Sequence, residues 1–81
     1  MSRRAQEFFR GDAGTFSKKF SGDREELVLI NDGTGELTFT AGATNFTMKA
    51  GEVFDEEINP FSSIEITAAG PFRGFVREAS S

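Results

Sequence analysis

The stretch "LVLINDGTGELTFT" (residues 27–40) places two apolar runs on either side of an Asp-Gly-Thr-Gly segment. Its first run, residues 27–30, is apolar at every position, which is typical of a strand that is covered on both faces. In residues 37–41 apolar and polar side chains alternate, as in a strand with one buried face. Gly33 and Gly35 can adopt the positive φ of a tight turn. The stretch therefore predicts a β-hairpin.

The rest of the chain after this stretch continues the β pattern. Alternation resumes in "ATNFTMKA" (43–50), "SSIEITAAG" (62–70) and "FRGFVRE" (72–78), while "GEVFDEEI" (51–58) is typical of a short strand. Turn residues recur at a spacing of about ten residues, as in sandwiches and barrels. We therefore predict an all-β fold, either a small antiparallel, jelly-roll-like β-sandwich or a barrel, with roughly six or seven short strands.

Charge divides the chain into a basic start and an acidic body. Residues 1–24 carry six basic and three acidic side chains, whereas residues 25–81 carry three basic and ten acidic ones. We predict that residues 1–14 form a basic N-terminal arm and that residues 15–81 form a single β-sandwich domain, starting with an extended strand. The arm either docks on an acidic surface, such as that of a neighbouring copy, or is a solvated tail.

The aromatic residues are ten phenylalanines, with no tyrosine or tryptophan. Phenylalanine fills cores and interfaces, whereas ligand-binding surfaces favour tyrosine and tryptophan. Phe8 and Phe9 either anchor the arm in a neighbouring subunit or fold back as a lid over the same domain. Phe75, between Arg73 and Arg77, is a candidate subunit contact, and a core position on the second sheet face is its alternative. The predicted core contains Phe39, Phe46, Phe54, Phe61 and Phe72.

The residues that most catalytic and metal sites need are missing. With no histidine and no cysteine, the chain cannot form a Ser/His/Asp or Cys/His nucleophile system or a common zinc site. Glu52 and residues 55–57 could attract a hard cation, but their spacing matches no known loop and favours a solvated acidic edge. We predict a non-enzymatic protein without cofactor or metal.

Location and partners are also constrained by the sequence. No apolar run approaches the roughly 18 residues that span a membrane, and no signal peptide is visible, so we expect synthesis in a cytoplasm and no membrane contact. The acidic body disfavours nucleic acid as a direct partner.

Four strand motifs occur in a set order along the chain. "NDG" (31–33) is followed by "KAGEVFDE" (49–56), "PFSSIEITAAG" (60–70) and "FRGFVR" (72–77). This order resembles small β-sandwich structural proteins and modules of tailed bacteriophages and prophages, over residues 18–77. Such proteins are parts of heads, necks, tails or baseplates and are usually symmetric oligomers without catalytic residues.

The resemblance implies a virion structural or accessory protein that is made in the bacterial host cytoplasm. Its expected partners are other copies of itself, in a homo-oligomer, and other virion proteins, which it contacts through sheet edges and the N-terminal arm. The alternative is a small binding module for a glycan, a small molecule or a host protein, including a phage factor that counters host defence. The candidate interface residues are Arg3, Arg4, Phe8, Phe9, Arg10, Arg73, Phe75 and Arg77.

Overall fold

The computed structural model describes residues 5–77, which form six β-strands and no helix. The strands are β1 (Ala5–Gly11), β2 (Gly14–Asn31), β3 (Leu37–Ala41), β4 (Thr44–Met48), β5 (Val53–Ala68) and β6 (Phe72–Arg77). They form a single antiparallel sheet in the order β1-β6-β2-β5-β3-β4. The predicted all-β, antiparallel fold is confirmed, whereas closure into a sandwich or barrel stays a prediction. No membrane-spanning helix occurs among these residues.

The two longest strands, β2 with 18 residues and β5 with 16, pair with each other twice. Residues 14–19 of β2 pair with 63–68 of β5, and residues 26–30 pair with 53–57. Between these two ladders the register shifts on both sides of Arg24. Unequal residue counts on paired strands bend them, so both strands turn a corner together.

This corner divides the sheet into two half-sheets that share one core. The first half-sheet contains β1, β6 and the ladder of 26–30 with 53–57; the second contains β3, β4 and the ladder of 14–19 with 63–68. Rings from the two half-sheets meet across the core. Phe16 lies 5.6 Å from Phe9 and 5.4 Å from Phe72, and Phe39 lies 5.0 Å from Phe54, all between ring centroids.

The phenylalanine core is largely the predicted one. Four of the five predicted core rings, those of Phe39, Phe54, Phe61 and Phe72, are buried. The prediction for Phe46 is wrong, because 42% of this residue is exposed. Its ring does contact Phe39, at 6.0 Å between centroids, but β4 is the last strand of the sheet and nothing in residues 5–77 pairs beyond it.

The predicted hairpin over residues 27–40 is wrong. Residues 27–31 of β2 lie between β5 and β6, so both of their hydrogen-bonding edges are occupied. β3 pairs instead with β4 and β5, in the other half-sheet. The tight hairpin of this region joins β3 to β4 through Gly42, whose φ of 60° favours glycine. The apolar run of β2 is nevertheless covered on both faces, since Leu27 and Leu29 lie in the core and Val28 is buried on the outer face.

The side chain of Asn31 stabilises the two connections by which the chain passes from one half-sheet to the other. This side chain is buried and donates hydrogen bonds from Nδ2 to the carbonyl oxygens of Gly35, at 2.9 Å, and Lys49, at 3.1 Å. Its Oδ1 accepts a hydrogen bond from the backbone N–H of Gly33 at 3.1 Å. One side chain thus satisfies backbone groups of both the β2–β3 and the β4–β5 connections.

A separate N-terminal arm over residues 1–14 is not confirmed. Residues 5–11 form β1, which pairs with β6 as an end strand of the same sheet. Residues 14–20 belong to β2, as the predicted first extended strand requires. Arg3 and Arg4 lie outside the described residues.

We expect the substitution Asn31→Ala to lower the free energy of unfolding by about 3 kcal/mol, because it removes three hydrogen bonds to backbone groups. The carbonyl oxygen of Lys49 keeps its hydrogen bond from the N–H of Glu52, whereas Gly33 and Gly35 lose the bonds that Asn31 makes to them. Urea denaturation followed by circular dichroism measures this change. Asn59→Ala, at an exposed position of β5, is the matched control and should cost less than about 0.5 kcal/mol. Equal losses for the two variants would contradict the role of Asn31.

Candidate functional site

A β-bulge in β1 separates two neighbouring phenylalanines. Glu7 and Phe8 of β1 together stand opposite a single residue of β6, Phe75, and Glu7 has a φ of 52°, in the left-handed region. Phe9 points into the core and is 8% exposed, whereas Phe8 lies on the outer face of the sheet and is 69% exposed. Phe9 therefore packs into the core of its own domain, whereas the exposed ring of Phe8 remains available to a partner.

The bulge is held by an ion pair at the corner of β2 and β5. The Glu7 carboxylate accepts hydrogen bonds from Arg24 Nη2, at 2.5 Å, and from the backbone N–H and hydroxyl of Ser21, the latter at 3.2 Å. Only 9% of the Arg24 side chain is exposed, and its Nη1 donates to the carbonyl oxygen of Asp23 at 3.1 Å. A buried guanidinium needs a counter-charge, and Glu7 supplies it.

This environment shifts the ionisation of Glu7. Burial by itself would raise the pKa of the carboxyl group. The hydrogen bonds from Ser21, followed by the hydrogen bond and positive charge of Arg24, outweigh burial and hold the pKa of Glu7 below its usual value. Glu7 is therefore a carboxylate near neutral pH, and its charge contributes to the stability of the corner.

The outer face of β1 and β6 combines aromatic rings with arginines. The Phe8 ring lies 5.1 Å from that of Phe75, and the Arg77 guanidinium lies 5.7 Å from the centre of the Phe75 ring. Arg77 also donates hydrogen bonds to Asp55 and Glu26, each at 3.1 Å, and these two acceptors, Asp55 first, raise the pKa of Arg77. Arg77 is thus fixed beside the ring, in the geometry of a cation–π contact.

A groove of about 380 Å³ opens on this face. The outer groove, as we call it, is lined by Phe8, Phe9, Arg10, Ile30, Arg73, Gly74 and Phe75. Position 74 accommodates only glycine, because a Cβ atom there would lie 2.6 Å from the carbonyl oxygen of Val28 and 2.8 Å from the Phe9 ring. Arg73 pairs with Asp32 at 3.0 Å, at an exposed position on the rim. The groove is therefore apolar at its base and basic at its rim.

Most of the predicted interface residues meet at this groove. Phe8, Arg10, Arg73 and Phe75 line it together with the buried Phe9, and Arg77 lies against Phe75. Phe75 is half-buried on the outer face, whereas the sequence leaves open either a subunit contact or a core position on the second sheet face. Arg3 and Arg4, also predicted, lie outside residues 5–77.

Sequence reasoning missed Ile30 and Gly74 in the lining and the role of Glu7. Ile30 belongs to the apolar run of β2, and only its pairing with Arg73 of β6 places it beside the groove. The bulge at Glu7 depends on the pairing of β1 with a strand more than 60 residues later in the chain, for which the local sequence has no pattern.

Comparison with known proteins assigns no family. Neither a protein-family model, nor a curated protein, nor a solved structure matches this chain. Within residues 5–77, no group of three or more acidic side chains is arranged to hold a metal ion. From the acidic run considered as a cation site, Asp55 pairs with Arg77, and Glu52 accepts a hydrogen bond from the backbone N–H of Lys49.

We expect Glu7→Gln to lower the free energy of unfolding by about 2 kcal/mol at pH 7, because Arg24 then keeps its buried charge without a carboxylate. Since the pKa of Glu7 is lower in the folded chain than its usual 4.5, the advantage of the wild type is full above about pH 4.5. This advantage is lost as the pH falls through the folded-state pKa. Urea denaturation at several pH values between 7 and 3 measures the difference.

Glu36→Gln, at an exposed position, is the control, and it should change the free energy of unfolding at pH 7 by less than about 0.5 kcal/mol. A wild-type advantage over Glu7→Gln that stays constant from pH 7 to 3 would contradict the assigned ionisation of Glu7.

Proposed function

We propose that this protein is a non-enzymatic structural or accessory subunit that works by binding other protein chains through the outer groove. One observation carries the proposal: a phenylalanine that is 69% exposed, Phe8, is held on the outer face against Phe75. Large exposed aromatic side chains in a fixed position favour association, because a partner that covers them removes apolar surface from water.

The chemistry around Phe8 is typical of the centre and rim of a protein interface. Arginine and phenylalanine are enriched at interfaces, whereas lysine and glutamate are depleted there. Arg10 and Arg73 place positive charge at the groove of a chain whose net charge is −4. An acidic surface on a neighbouring copy is therefore complementary to the groove. Glu56 and Glu65 of β5 are exposed acidic side chains that could contribute to such a surface.

The setting that we propose is the virion of a tailed phage or prophage, in its head, neck, tail or baseplate. This part of the proposal is supported by the order of the three strand motifs between residues 49 and 77 and by the interface chemistry of the groove. The protein would be made in the bacterial host cytoplasm and would bind copies of itself, in a homo-oligomer, and other virion proteins.

One observation favours a second candidate function, a small binding module for a glycan, a small molecule or a host protein, including a phage factor that counters host defence. The volume of the outer groove, about 380 Å³, falls within the range of small-molecule sites, roughly 300–1,000 Å³. In this function Arg73 would orient a polar group of the ligand while Phe75 covers an apolar one. The two candidates differ in the oligomeric state that they require.

We expect light scattering behind a sizing column to give a mass above the 8.8 kDa of one chain, increasing with protein concentration. Phe8→Ser should weaken this association about 30-fold, because it removes the exposed ring at the centre of the contact. Thr67→Ala is the control: Thr67 is exposed on β5 in the second half-sheet and is not among the residues that line the groove.

A mass of one chain for the wild type at every concentration would contradict the homo-oligomer and favour the binding module. An equal effect of Phe8→Ser and Thr67→Ala would show that association does not depend on the outer groove.

A further inference from the structure

The two end strands of the sheet are protected from other chains to different degrees. β1 carries the bulge at Glu7 and the charges of Glu7 and Arg10, which are features that block the addition of another strand. β4, with the sequence "TNFTM", has no charged residue and no proline, and its pairing with β3 runs without a register shift. Within residues 5–77 its outer edge is therefore a regular, unprotected template for strand pairing.

One hydrogen bond determines which backbone groups β4 presents outward. The N–H of Ala69 donates to the carbonyl oxygen of Glu36 at 3.3 Å, so Glu36 and every second residue after it bond toward β5. The residues between them, including Phe39, bond toward β4, where Phe39 pairs with Phe46. The N–H and C=O groups of Asn45 and Thr47 consequently point away from the sheet.

Phe46 lies between these two outward-facing residues. Its side chain is on the core side of the sheet, with its ring 6.0 Å from that of Phe39 and 5.2 Å from that of Phe54. It is nevertheless 42% exposed, because no strand follows β4 within residues 5–77. A strand added at this edge would complete the burial of the ring.

We propose that β4 pairs in an antiparallel arrangement with β4 of a second copy of this chain, about a two-fold axis at Phe46. Asn45 of each copy then stands opposite Thr47 of the other, and the outward N–H and C=O groups of these residues form four backbone hydrogen bonds. The two Phe46 side chains face each other in a non-hydrogen-bonded pair, the closer of the two antiparallel pair types. This inference rests on the proposed assembly function and names a second contact for it.

Charge and symmetry favour a second copy as the occupant. Each chain carries a net charge of −4, so two copies repel each other over most of their surface, but residues 44–48 are uncharged. The outward groups are arranged symmetrically on either side of Phe46, so the edge is complementary to itself. Because a five-residue strand buries less area than a standard interface, the dimer should be weak and concentration-dependent.

The absence of cysteine from the chain makes a cross-linking test specific. In the proposed register Phe46→Cys brings two thiols opposite each other at close to disulfide distance, and we expect a covalent dimer on mild oxidation. Asn45→Cys is the matched control: its two copies would be diagonal neighbours about 7–8 Å apart and should not cross-link. Circular dichroism verifies that both variants are folded.

A charge variant tests the same edge without cysteine chemistry. Asn45→Lys combined with Thr47→Lys places like charges opposite each other across the two-fold axis and should weaken the dimer at least about tenfold in sedimentation. Thr38→Lys combined with Thr40→Lys makes the same charge change on β3, one strand inside the edge, and should leave the dimer intact.

The failures of the two proposals are distinguishable. No cross-linking of Phe46→Cys, or equal cross-linking of Asn45→Cys, overturns the β4 dimer, and the outer groove still stands if Phe8→Ser lowers the mass. Conversely, cross-linking of Phe46→Cys combined with no effect of Phe8→Ser supports the β4 dimer and overturns association through the outer groove.

Discussion

The structure depends on the bend that β2 and β5 make together around the buried side chain of Arg24. Without this bend the rings of Phe16 and Phe39 could not meet those of Phe9 and Phe54 in the core, and more of their surface would be in contact with water. At the bend, where Arg24 pairs with Phe61, the rings of Phe20 and Phe61 pack edge to face with their centroids 5.7 Å apart. A charged residue at such a corner is tolerated because Glu7, from a third strand, provides its counter-charge.

The same ion pair links the stability of the corner to the geometry of the outer face. Glu7 can reach Arg24 and Ser21 because its backbone adopts the left-handed conformation of a bulge. The bulge in turn places Phe8 beside Phe75, with Phe9 in the core. Strain at one residue of β1 is therefore compensated at the corner, and the outer groove is held in shape by the interaction that stabilises the bend.

The fold class was predictable because it follows from local patterns. Alternation of apolar and polar side chains identified β6 and placed Phe75 on the same face as Arg73 and Arg77. It did not determine whether that face is covered or faces outward. Which strands pair with each other could not be predicted from these local patterns. Residues 27–31 lie between β5 and β6, strands that come more than 20 residues later, so a strong local turn pattern predicted a hairpin that tertiary pairing replaces.

The candidate site was predictable in its residue types and unpredictable in its architecture. Five of the eight residues singled out in the sequence line one groove, but Ile30 and Gly74 reach it only through the pairing of β2 with β6. The unprotected edge of β4 could not be recognised until the strand order showed which strands end the sheet. Local sequence determines which side chains are available, and long-range pairing determines which of them meet.

Amide hydrogen exchange, followed by mass spectrometry at low and at high protein concentration, tests most directly whether this chain functions by association. We predict that exchange slows at high concentration in peptides covering β4 and β6, where the edge and the outer groove lie. Residues 14–19, at neither surface, should exchange at the same rate at both concentrations. Identical exchange throughout residues 5–77 at the two concentrations would contradict assembly through these surfaces.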